Sequence, residues 1–523
     1  MFFLWVLLVS LGLGDSYKIL IYNPRFSHSH VSYAGKIADV LVQAGHDVVV
    51  FAPLLSPNVK TNGTKLARVV SCPAGPGVPE LFAGDEHISS CWLESGFDNP
   101  LEQYLYALRF IADAQAKQCK FTLQQDSILN ELKAENFDLG ISEIFDTCGL
   151  GIFEAIGIRA HIVTSATVMY EGISQNLGLD MHPNYIPSSI STQSDKMSYF
   201  DRLKNFISAW SFYAFYSRVA SQEQILFRQK YGDDFINLDD KLAQASFAFV
   251  NVDPLLDFPS MVSQKVVYIN GIGVHKPKPL DKFWADVMTK RKDVVLISFG
   301  MYVQGYTMPE EMKRALLEAF KKFPDVTFIW KYEKKEHEIA KGLENVLTFE
   351  MVPQSDLLAH DNLRAFVTHA GMNSITEASH RGVPVITIPL LGDQMRNAKM
   401  VERMGTAIRL DKSDLKSSDK IEAAFRAILT NPSYAREAKR VAEMIVNRPV
   451  PVETLLVKHV EFAATFGQLP NLDPAGRKQS FFVYHSLDVW ATLVTVPLVS
   501  LYVICKIVKG VAKTCLKGKA KME

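Results

Sequence analysis

Short apolar runs alternate with segments of helical spacing along most of the chain. Lys18–Tyr22 and Asp47–Ala52 are apolar runs that predict strands. Val31–Ala44 between them carries apolar residues at helical spacing, and Gly45 ends the segment. A strand, a helix and a second strand in this order predict a βαβ unit, which is the beginning of a parallel sheet.

The same pattern recurs further along the chain. The further predicted strands are Phe137–Ser142, Ala160–Thr164, Val294–Phe299, Val326–Lys331, Ala365–Thr368 and Pro384–Pro389. The further predicted helices are Gly149–Gly157, Pro309–Phe320 and Ser374–Gly382. Gly271–Pro279, rich in Gly, Pro and Lys, indicates a linker. We therefore predict an α/β protein with two doubly wound domains, whose ligand binds between them at the carboxyl ends of the strands.

Each end of the chain carries a long apolar segment that does not follow the alternation of strands and helices. Residues 1–16 predict a secretory signal peptide, with a first buried strand as the alternative. Val489–Cys505 is an uncharged run close to the length that crosses a bilayer, and six lysines follow it. The positive-inside rule places this tail in the cytosol, and a buried core helix is the alternative. The last residues, from Lys519, resemble a dilysine retrieval signal of the endoplasmic reticulum, with a solvated basic tail as the alternative.

Composition and charge exclude several classes of protein. The 523 residues exceed one ordinary domain, and 56 Lys and Arg balance 56 Asp and Glu, so there is no general electrostatic reason to bind nucleic acid. Six cysteines are too few for a disulfide scaffold, and no Cys-x-x-Cys zinc spacing occurs. A disulfide can form among Cys72, Cys91, Cys119 and Cys148, but the sequence does not assign its pairing. Asn62 begins an N-glycosylation acceptor triplet, which fits lumenal exposure.

Candidate chemistry concentrates in the stretch Met351–Gln394. The common fingerprints for nucleotide phosphates are absent, as is an Asp-x-Asp pair for a metal. In this stretch, however, His369 and Gly371 lie where a predicted strand joins a predicted helix. A helix N-terminus binds a diphosphate without a metal, Gly371 permits close backbone approach, and His369 adds a side-chain donor.

Polar residues further along the same stretch suit a sugar nucleotide. Glu377 lies one helical turn beyond Asn373 and can accept two hydrogen bonds from a ribose diol. Asp393 and Gln394 follow a predicted strand end and suit the hydroxyls of a sugar.

This stretch resembles the signature of the UDP-glycosyltransferases, the family that includes the UDP-glucuronosyltransferases, and the similarity extends over the whole chain. Gly35–Asp39 and Phe145–Ala155 are most similar to nematode members. The resemblance implies the GT-B fold, in which two Rossmann-like domains face a cleft, together with a UDP-sugar donor and no resident cofactor. It also implies which residues contact the donor. Gln354 contacts uracil, His369 contacts the diphosphate, and Asn373 and Ser374 contact the phosphate or the ribose. Glu377 binds the ribose hydroxyls, and Asp393 and Gln394 bind the sugar.

Three positions depart from the family pattern. Met351 replaces the aromatic residue that stacks on uracil, and Met301, directly after Gly300, replaces a phosphate-binding serine. Ala370 is the second residue of a segment that is usually His-Gly-Gly. Loss of the stacked ring costs about 1 kcal/mol and loss of one hydrogen bond adds roughly 1 kcal/mol, so we expect a donor site weakened by roughly 10–50-fold.

The catalytic base of the family is a histidine in the first loop, which here offers His28 and His30. The family spacing, counted back from Gly45, gives His30. A histidine of near-neutral pKa takes the proton of the acceptor hydroxyl while its oxygen attacks the anomeric carbon. By the same resemblance, the carboxylate that orients the base is predicted at Glu143, with Asp146 as the competitor; capping of the following helix is the alternative role for either.

An aromatic segment, Phe206–Tyr216, carries six aromatic residues. It fits a wall of a greasy acceptor pocket, a helix that touches the membrane, or a packed core helix.

The resemblance and the patterns together imply an organisation and a function. The predicted parts are a signal peptide (1–16), an N-terminal acceptor-binding domain (17–270), a linker (271–285), a C-terminal UDP-sugar-binding domain (286–445), helices leading to the membrane (446–487), a transmembrane helix (488–505) and a cytosolic basic tail (506–523). We predict inverting transfer of glucuronic acid or glucose to a hydroxyl of a small lipophilic acceptor, of detoxification type, by a single-pass type I enzyme of the endoplasmic reticulum with a lumenal site. No nucleic acid or metal is expected as a partner, and a homo-oligomer is open. A non-catalytic membrane protein that binds a UDP-sugar or a lipophile is the alternative, and a single membrane segment disfavours processive polysaccharide synthesis.

Overall fold

The computed structural model describes residues 16–82, 91–92, 108–274 and 276–519, with side chains described to residue 514. The chain forms two compact units, one that ends at Leu472 and one that begins at Asp473. The predicted signal peptide, apart from Ser16, and the last residues of the predicted tail lie outside the described residues.

The first unit contains two parallel sheets. The strands of the first sheet are β1 (Lys18–Tyr22), β2 (Asp47–Pro53), β3 (Arg68–Cys72), β4 (Leu139–Glu143), β5 (Ala160–Ser165), β6 (Phe247–Val250) and β7 (Val266–Tyr268). Their order across the sheet is β3-β2-β1-β4-β5-β6-β7. The strands of the second sheet are β8 (Asp293–Ser298), β9 (Val326–Lys331), β10 (Val346–Phe349), β11 (Leu363–Thr368), β12 (Val385–Thr387) and β13 (Ala407–Arg409), in the order β10-β9-β8-β11-β12-β13. Central strands such as β4 and β5 are buried along their whole length, as parallel strands covered on both faces require.

Helices cover the faces of both sheets. Those that precede β8 are α1 (His28–Gln43), α2 (Pro79–Phe82), α3 (Arg109–Leu123), α4 (Asp126–Ala134), α5 (Cys148–Ile156), α6 (Glu171–Asn176), α7 (Tyr199–Tyr231), α8 (Leu238–Ala243) and α9 (Lys282–Thr289). Those that follow β8 in the first unit are α10 (Glu310–Lys321), α11 (Gln354–Leu357), α12 (Met372–Arg381), α13 (Gln394–Arg403), α14 (Ser418–Thr430), α15 (Pro432–Val446) and α16 (Val452–Phe466).

The strand order reverses at one point in each sheet. In the first sheet β1 lies between β2 and β4, and Tyr22 at its end pairs with Ser142. In the second sheet β8 lies between β9 and β11, and Ser298 pairs with Thr368. Residues that follow these strands therefore lie at the switch points, where ligands bind in sheets of this kind.

The predicted elements are confirmed, with shifts at their ends. β9 has the predicted ends, whereas α1 begins at His28 and α12 at Met372, each earlier than predicted. β12 is shorter than the predicted Pro384–Pro389. Its flanking prolines lack the N–H that a ladder hydrogen bond needs, so pairing stops before them.

Two segments each pack into the core of the sheet that is formed by the other half of the chain. α16 follows the second sheet, yet Leu456 and Val460 are buried in the core of the first sheet together with Ile19 and Ile37. Conversely Trp92, from the first half of the chain, is fully buried in the core of the second sheet. Its indole N–H donates to the hydroxyl of Thr307 at 3.0 Å.

The second unit contains α17 (Phe481–Tyr484) and α18 (Leu487–Lys519). Within the described residues, Leu487–Thr514 is the helical stretch long and apolar enough to cross a membrane, and its apolar side chains are exposed all around the helix. The span predicted at 488–505 falls within it. The helix, however, continues beyond Cys505 into the segment predicted as a tail.

Candidate active site

The side chains of His30 and Glu143 meet at the switch point of the first sheet. His30 lies in the first turn of α1, and Glu143 is the last residue of β4. The Nδ1 of His30 lies 2.7 Å from the Oε1 of Glu143, which also accepts a 2.9 Å hydrogen bond from the N–H of Ala166. Because the carboxylate holds a proton on Nδ1, the Nε2 of a neutral imidazole is left as the acceptor for a substrate proton.

The charges around His30 favour its protonated form. Burial opposes the imidazolium, but the charge of Glu143, its hydrogen bond and the charge of Asp393 outweigh burial and raise the pKa of His30. Asp393 follows a strand of the second sheet, so the two domains bring these groups within electrostatic reach of each other. The arrangement suits a base that must hold a proton during the reaction.

The two alternatives from the sequence, His28 as the base and Asp146 as the orienting carboxylate, lie in other environments. His28, the first residue of α1, is exposed. Asp146 is buried and accepts a 3.1 Å hydrogen bond from the N–H of Cys148, the first residue of α5. Burial and the nearby carboxylate of Glu223 raise the pKa of Asp146. The structure thus brings Glu143 to His30, while Asp146 serves the start of a helix.

Aromatic side chains surround the imidazole of His30. The ring of Phe26 lies 4.6 Å and that of Phe145 5.2 Å from it, and these two rings stack on each other at 5.0 Å. Phe145 also contacts Tyr170 and Phe215. These rings form an aromatic wall beside the candidate base.

The predicted aromatic segment Phe206–Tyr216 lies on α7 and divides between two environments. Phe212, Phe215 and Tyr216 are buried, and the rings of Phe212 and Phe215 extend the aromatic wall, whereas Phe206 and Trp210 are more than half exposed. The buried part of the segment is thus packed as a core helix, whereas the acceptor-pocket wall and the membrane contact stay predictions.

On the donor side, His369 lies between two glycines. A Cβ on Gly300 would lie 2.7 Å from Cε1 of His369, and a Cβ on Gly371 would lie 2.5 Å from its Nε2. Gly300 also has a φ of 86°, a conformation that favours glycine. Burial and the charge of Lys331 lower the pKa of His369 to about 4, so the imidazole is neutral at physiological pH.

The loop that joins β11 to α12 presents the helix N-terminus predicted as a diphosphate cradle. Gly371 is the N-cap of α12, so Asn373 and Ser374 lie in its first turn. Ala370 has a φ of 65°, a left-handed conformation that costs a residue with a Cβ about 1–2 kcal/mol. This explains physically why a glycine suits that position.

Three predicted nucleotide contacts lie together beside this helix. The side-chain amide of Gln354 donates to Glu377 at 2.7 Å and lies 3.5 Å from the hydroxyl of Ser374. Gln354 begins α11, and its amide is held by Glu377 on α12. The group offers donors and acceptors suited to a base and a ribose diol.

The two residues predicted at the sugar are held within their own loop. Asp393 accepts a 2.8 Å hydrogen bond from Asn397, and burial raises its pKa. The side-chain oxygen Oε1 of Gln394 accepts hydrogen bonds from the N–H groups of Leu390 and Leu391, which leaves its side-chain nitrogen Nε2 to donate. The two methionines that depart from the family pattern, Met301 and Met351, are about half exposed and 61% exposed respectively.

Sequence reasoning missed Lys331 as a site residue. Its ammonium, nearly fully buried, donates to the carbonyl of Gly300 at 2.9 Å and to Glu333 at 2.7 Å, and its charge acts on the imidazole of His369. The signal was present, because a charged residue ends the predicted strand Val326–Lys331 at the edge where ligands bind.

Two further sequence predictions concern a glycosylated asparagine and a disulfide. The side-chain carbonyl of Asn62, partly buried, accepts a 3.1 Å hydrogen bond from Arg25, so the glycan predicted there stays a prediction. Cys119 and Cys148 form a disulfide with their Cα atoms 5.9 Å apart, which resolves the pairing left open by the sequence.

The two parallel sheets and the helices that cover them have the GT-B fold of glycosyltransferases. Solved structures with the same fold include spinosyn forosaminyltransferase SpnP, with a TM-score of 0.57 and 17% identity, covering 86% of this chain and 100% of that one. Another is the glycosyltransferase VinC in complex with dTDP, with a TM-score of 0.55, 17% identity and the same coverage.

Sequence comparison then gives the family. The family model described as "UDP-glucoronosyl and UDP-glucosyl transferase" matches residues 17–522. A Caenorhabditis elegans protein whose name assigns it to the UDP-glucuronosyltransferases, ugt-48, is 30% identical over 92% of this chain and 93% of its own length. Its Caenorhabditis briggsae relative ugt-47 is 31% identical over 95% of this chain and 93% of its own length. The chain belongs to the UDP-glycosyltransferase family, whose members transfer sugar from a UDP-sugar.

Proposed function

We propose that this protein transfers glucuronic acid or glucose, with inversion, from a UDP-sugar to the hydroxyl of a small lipophilic acceptor. His30 acts as the base and Glu143 orients it. The observation that carries this proposal is the 2.7 Å contact between these two side chains, with the charge of Asp393 from the second domain acting on the same imidazole. One displacement at the anomeric carbon, with His30 taking the hydroxyl proton, then expels UDP.

The acceptor class follows from the surroundings of His30. Phe26 and Phe145 stack on each other and both contact the imidazole, so a flat apolar ring packs against them with its hydroxyl near Nε2. Phenols fit this description best. A role in detoxification fits an acceptor site that selects by shape and apolar character.

The donor is proposed to lie along α12. Its diphosphate binds at the helix N-terminus near Asn373 and Ser374 with His369, uracil near Met351 and Gln354, and ribose on Glu377. Neutral His369 can donate one N–H to the diphosphate. No resident cofactor or metal has a role in this proposal.

The location is proposed from the two ends of the chain. α18 is apolar enough to cross a membrane, and the lysines that follow Cys505 fit a cytosolic side. We propose a single-pass type I protein of the endoplasmic reticulum with a lumenal site.

Two experiments test the reaction. First, equal UDP-glucose and UDP-glucuronate are supplied with a panel of phenols, and the product masses give the donor. Second, UDP release is compared between His30→Ala, expected to lose about 100-fold or more in rate, and the matched His28→Ala, expected to change little. An unchanged rate in His30→Ala contradicts the proposed base.

A non-catalytic binder is a second candidate because Met301 and Met351 replace residues that usually hold the donor. Calorimetry separates the two functions. Binding of UDP-sugar without product at saturating donor and acceptor would favour the binder.

A further inference from the structure

Lys36 extends from the first domain towards the donor side of the cleft. It lies on α1, six residues beyond His30, and is partly buried. Its aliphatic chain passes directly over Gly273, because a Cβ on that glycine would lie 2.7 Å from Cδ and 2.8 Å from Cγ of Lys36. The lysine side chain therefore occupies the space that a side chain at 273 would need.

The segment around Gly273 borders the helix of the candidate donor site. A Cβ on Gly271 would lie 2.5 Å from Nε2 of His380 on α12. Glu377 lies three residues before His380, so both face the same side of that helix. Burial lowers the pKa of the Lys36 ammonium, and the negative charge of Glu377 opposes this effect.

The ammonium of Lys36 has no hydrogen bond and no ion pair with any residue in the described part of the chain. Lys331, in contrast, is bonded to both Gly300 and Glu333. Glu377 receives its hydrogen bond from Gln354 rather than from Lys36. A partly buried cation without a hydrogen-bond acceptor is costly, and an anionic ligand would remove that cost.

We propose that Lys36 binds the diphosphate of the UDP-sugar at the phosphate next to the ribose. The inference rests on the proposed function, in which Glu377 holds the ribose. A lysine is a compact charge on a flexible stem, which suits a phosphate oxygen. The domain that carries the base thus also contributes a cation to the nucleotide.

The test is calorimetry of UDP, UMP and uridine with Lys36→Met, which keeps the aliphatic stem, and with Lys60→Met, a matched change at an exposed lysine of the same domain. We expect Lys36→Met to weaken UDP and UMP about tenfold and leave uridine unchanged, as loss of one charge-assisted hydrogen bond predicts. Lys36→Arg should retain most of the affinity, and Lys60→Met should match the wild type.

Two results would overturn the role of Lys36. One is unchanged affinity of Lys36→Met for UDP; the other is an equal loss for uridine, which would show that Lys36 supports the linker rather than the phosphate. If Lys36→Met unfolds, Lys36→Gln and the salt dependence of UDP binding replace it, and equal salt dependence in variant and wild type counts against the proposal. A wild type that binds no UDP at all would instead overturn the proposed function.

Discussion

The substitution Glu143→Gln removes one charge from the candidate base pair and keeps its shape. The amide can still accept the 2.7 Å hydrogen bond from Nδ1 of His30 and the 2.9 Å bond from Ala166. What is lost is the attraction between a carboxylate and the imidazolium that forms when His30 takes a proton. Both side chains are largely shielded from water, 13% and 6% exposed, so solvent screens this attraction little.

The size of the effect follows from that environment. A hydrogen bond to a charged group contributes about 1.5–3 kcal/mol, and most of this is lost in the variant. A loss of about 2 kcal/mol in the transition state reduces the turnover rate by roughly 30-fold. The pKa of His30, which Glu143 raises, falls as well. Because the base must be neutral, activity declines as the pH falls through that pKa, and the variant therefore keeps its maximal rate to lower pH than the wild type.

The assay is UDP release with a saturating phenol, measured as turnover against pH. Asp146→Asn is the matched control, because Asp146 is buried nearby but is bonded to the start of α5. We expect it to keep the wild-type pH midpoint. A Glu143→Gln enzyme with the wild-type rate and midpoint, or the same shift in Asp146→Asn, would refute the assignment of Glu143.

Three further predictions concern the donor site and the stability of the fold. Met351→Trp should tighten UDP binding by roughly fivefold in calorimetry, since a stacked ring contributes about 1 kcal/mol; unchanged affinity would place uracil elsewhere. Gly300→Ala should lose both stability and UDP affinity, because its Cβ meets an imidazole, whereas Gly342→Ala, with a similar φ of 84° and open space, should lose only stability, by about 1–2 kcal/mol in urea unfolding. Replacing Cys119 and Cys148 together by Ala should lower the free energy of unfolding by about 3 kcal/mol, and an unchanged urea midpoint would contradict a stabilising disulfide.

The local elements were predictable because their signals are local. The strand Val326–Lys331 is a short, mostly apolar run preceded by the turn residues Pro324 and Asp325, and both sheets contain such runs. Helix starts were less predictable. α12 begins at Met372 because Gly371 is its N-cap, and a glycine N-cap carries no side-chain signal that would mark the start.

The site was predictable where its residues stand at strand ends or in one stretch of sequence. His30 and Glu143 each follow a predicted strand, and the sheet order brings these ends together. The contact between Lys36 and the linker at Gly273 was not predictable, because it depends on how two domains pack. The same holds for Trp92, whose partner Thr307 is more than 200 residues away in sequence.

The placement of α16 and Trp92 has a consequence for dissecting the protein. A fragment that stops at residue 270 would lack Leu456, which packs with Ile19 and Ile37 in the core of the first sheet. A fragment that starts at residue 286 would lack Trp92, which is buried in the core of the second sheet. The C-terminal half thus supplies α16 to the core of the first sheet, and the N-terminal half supplies Trp92 to the core of the second sheet. Neither half should fold alone, and a soluble catalytic fragment must retain both exchanged pieces by running unbroken to about residue 472.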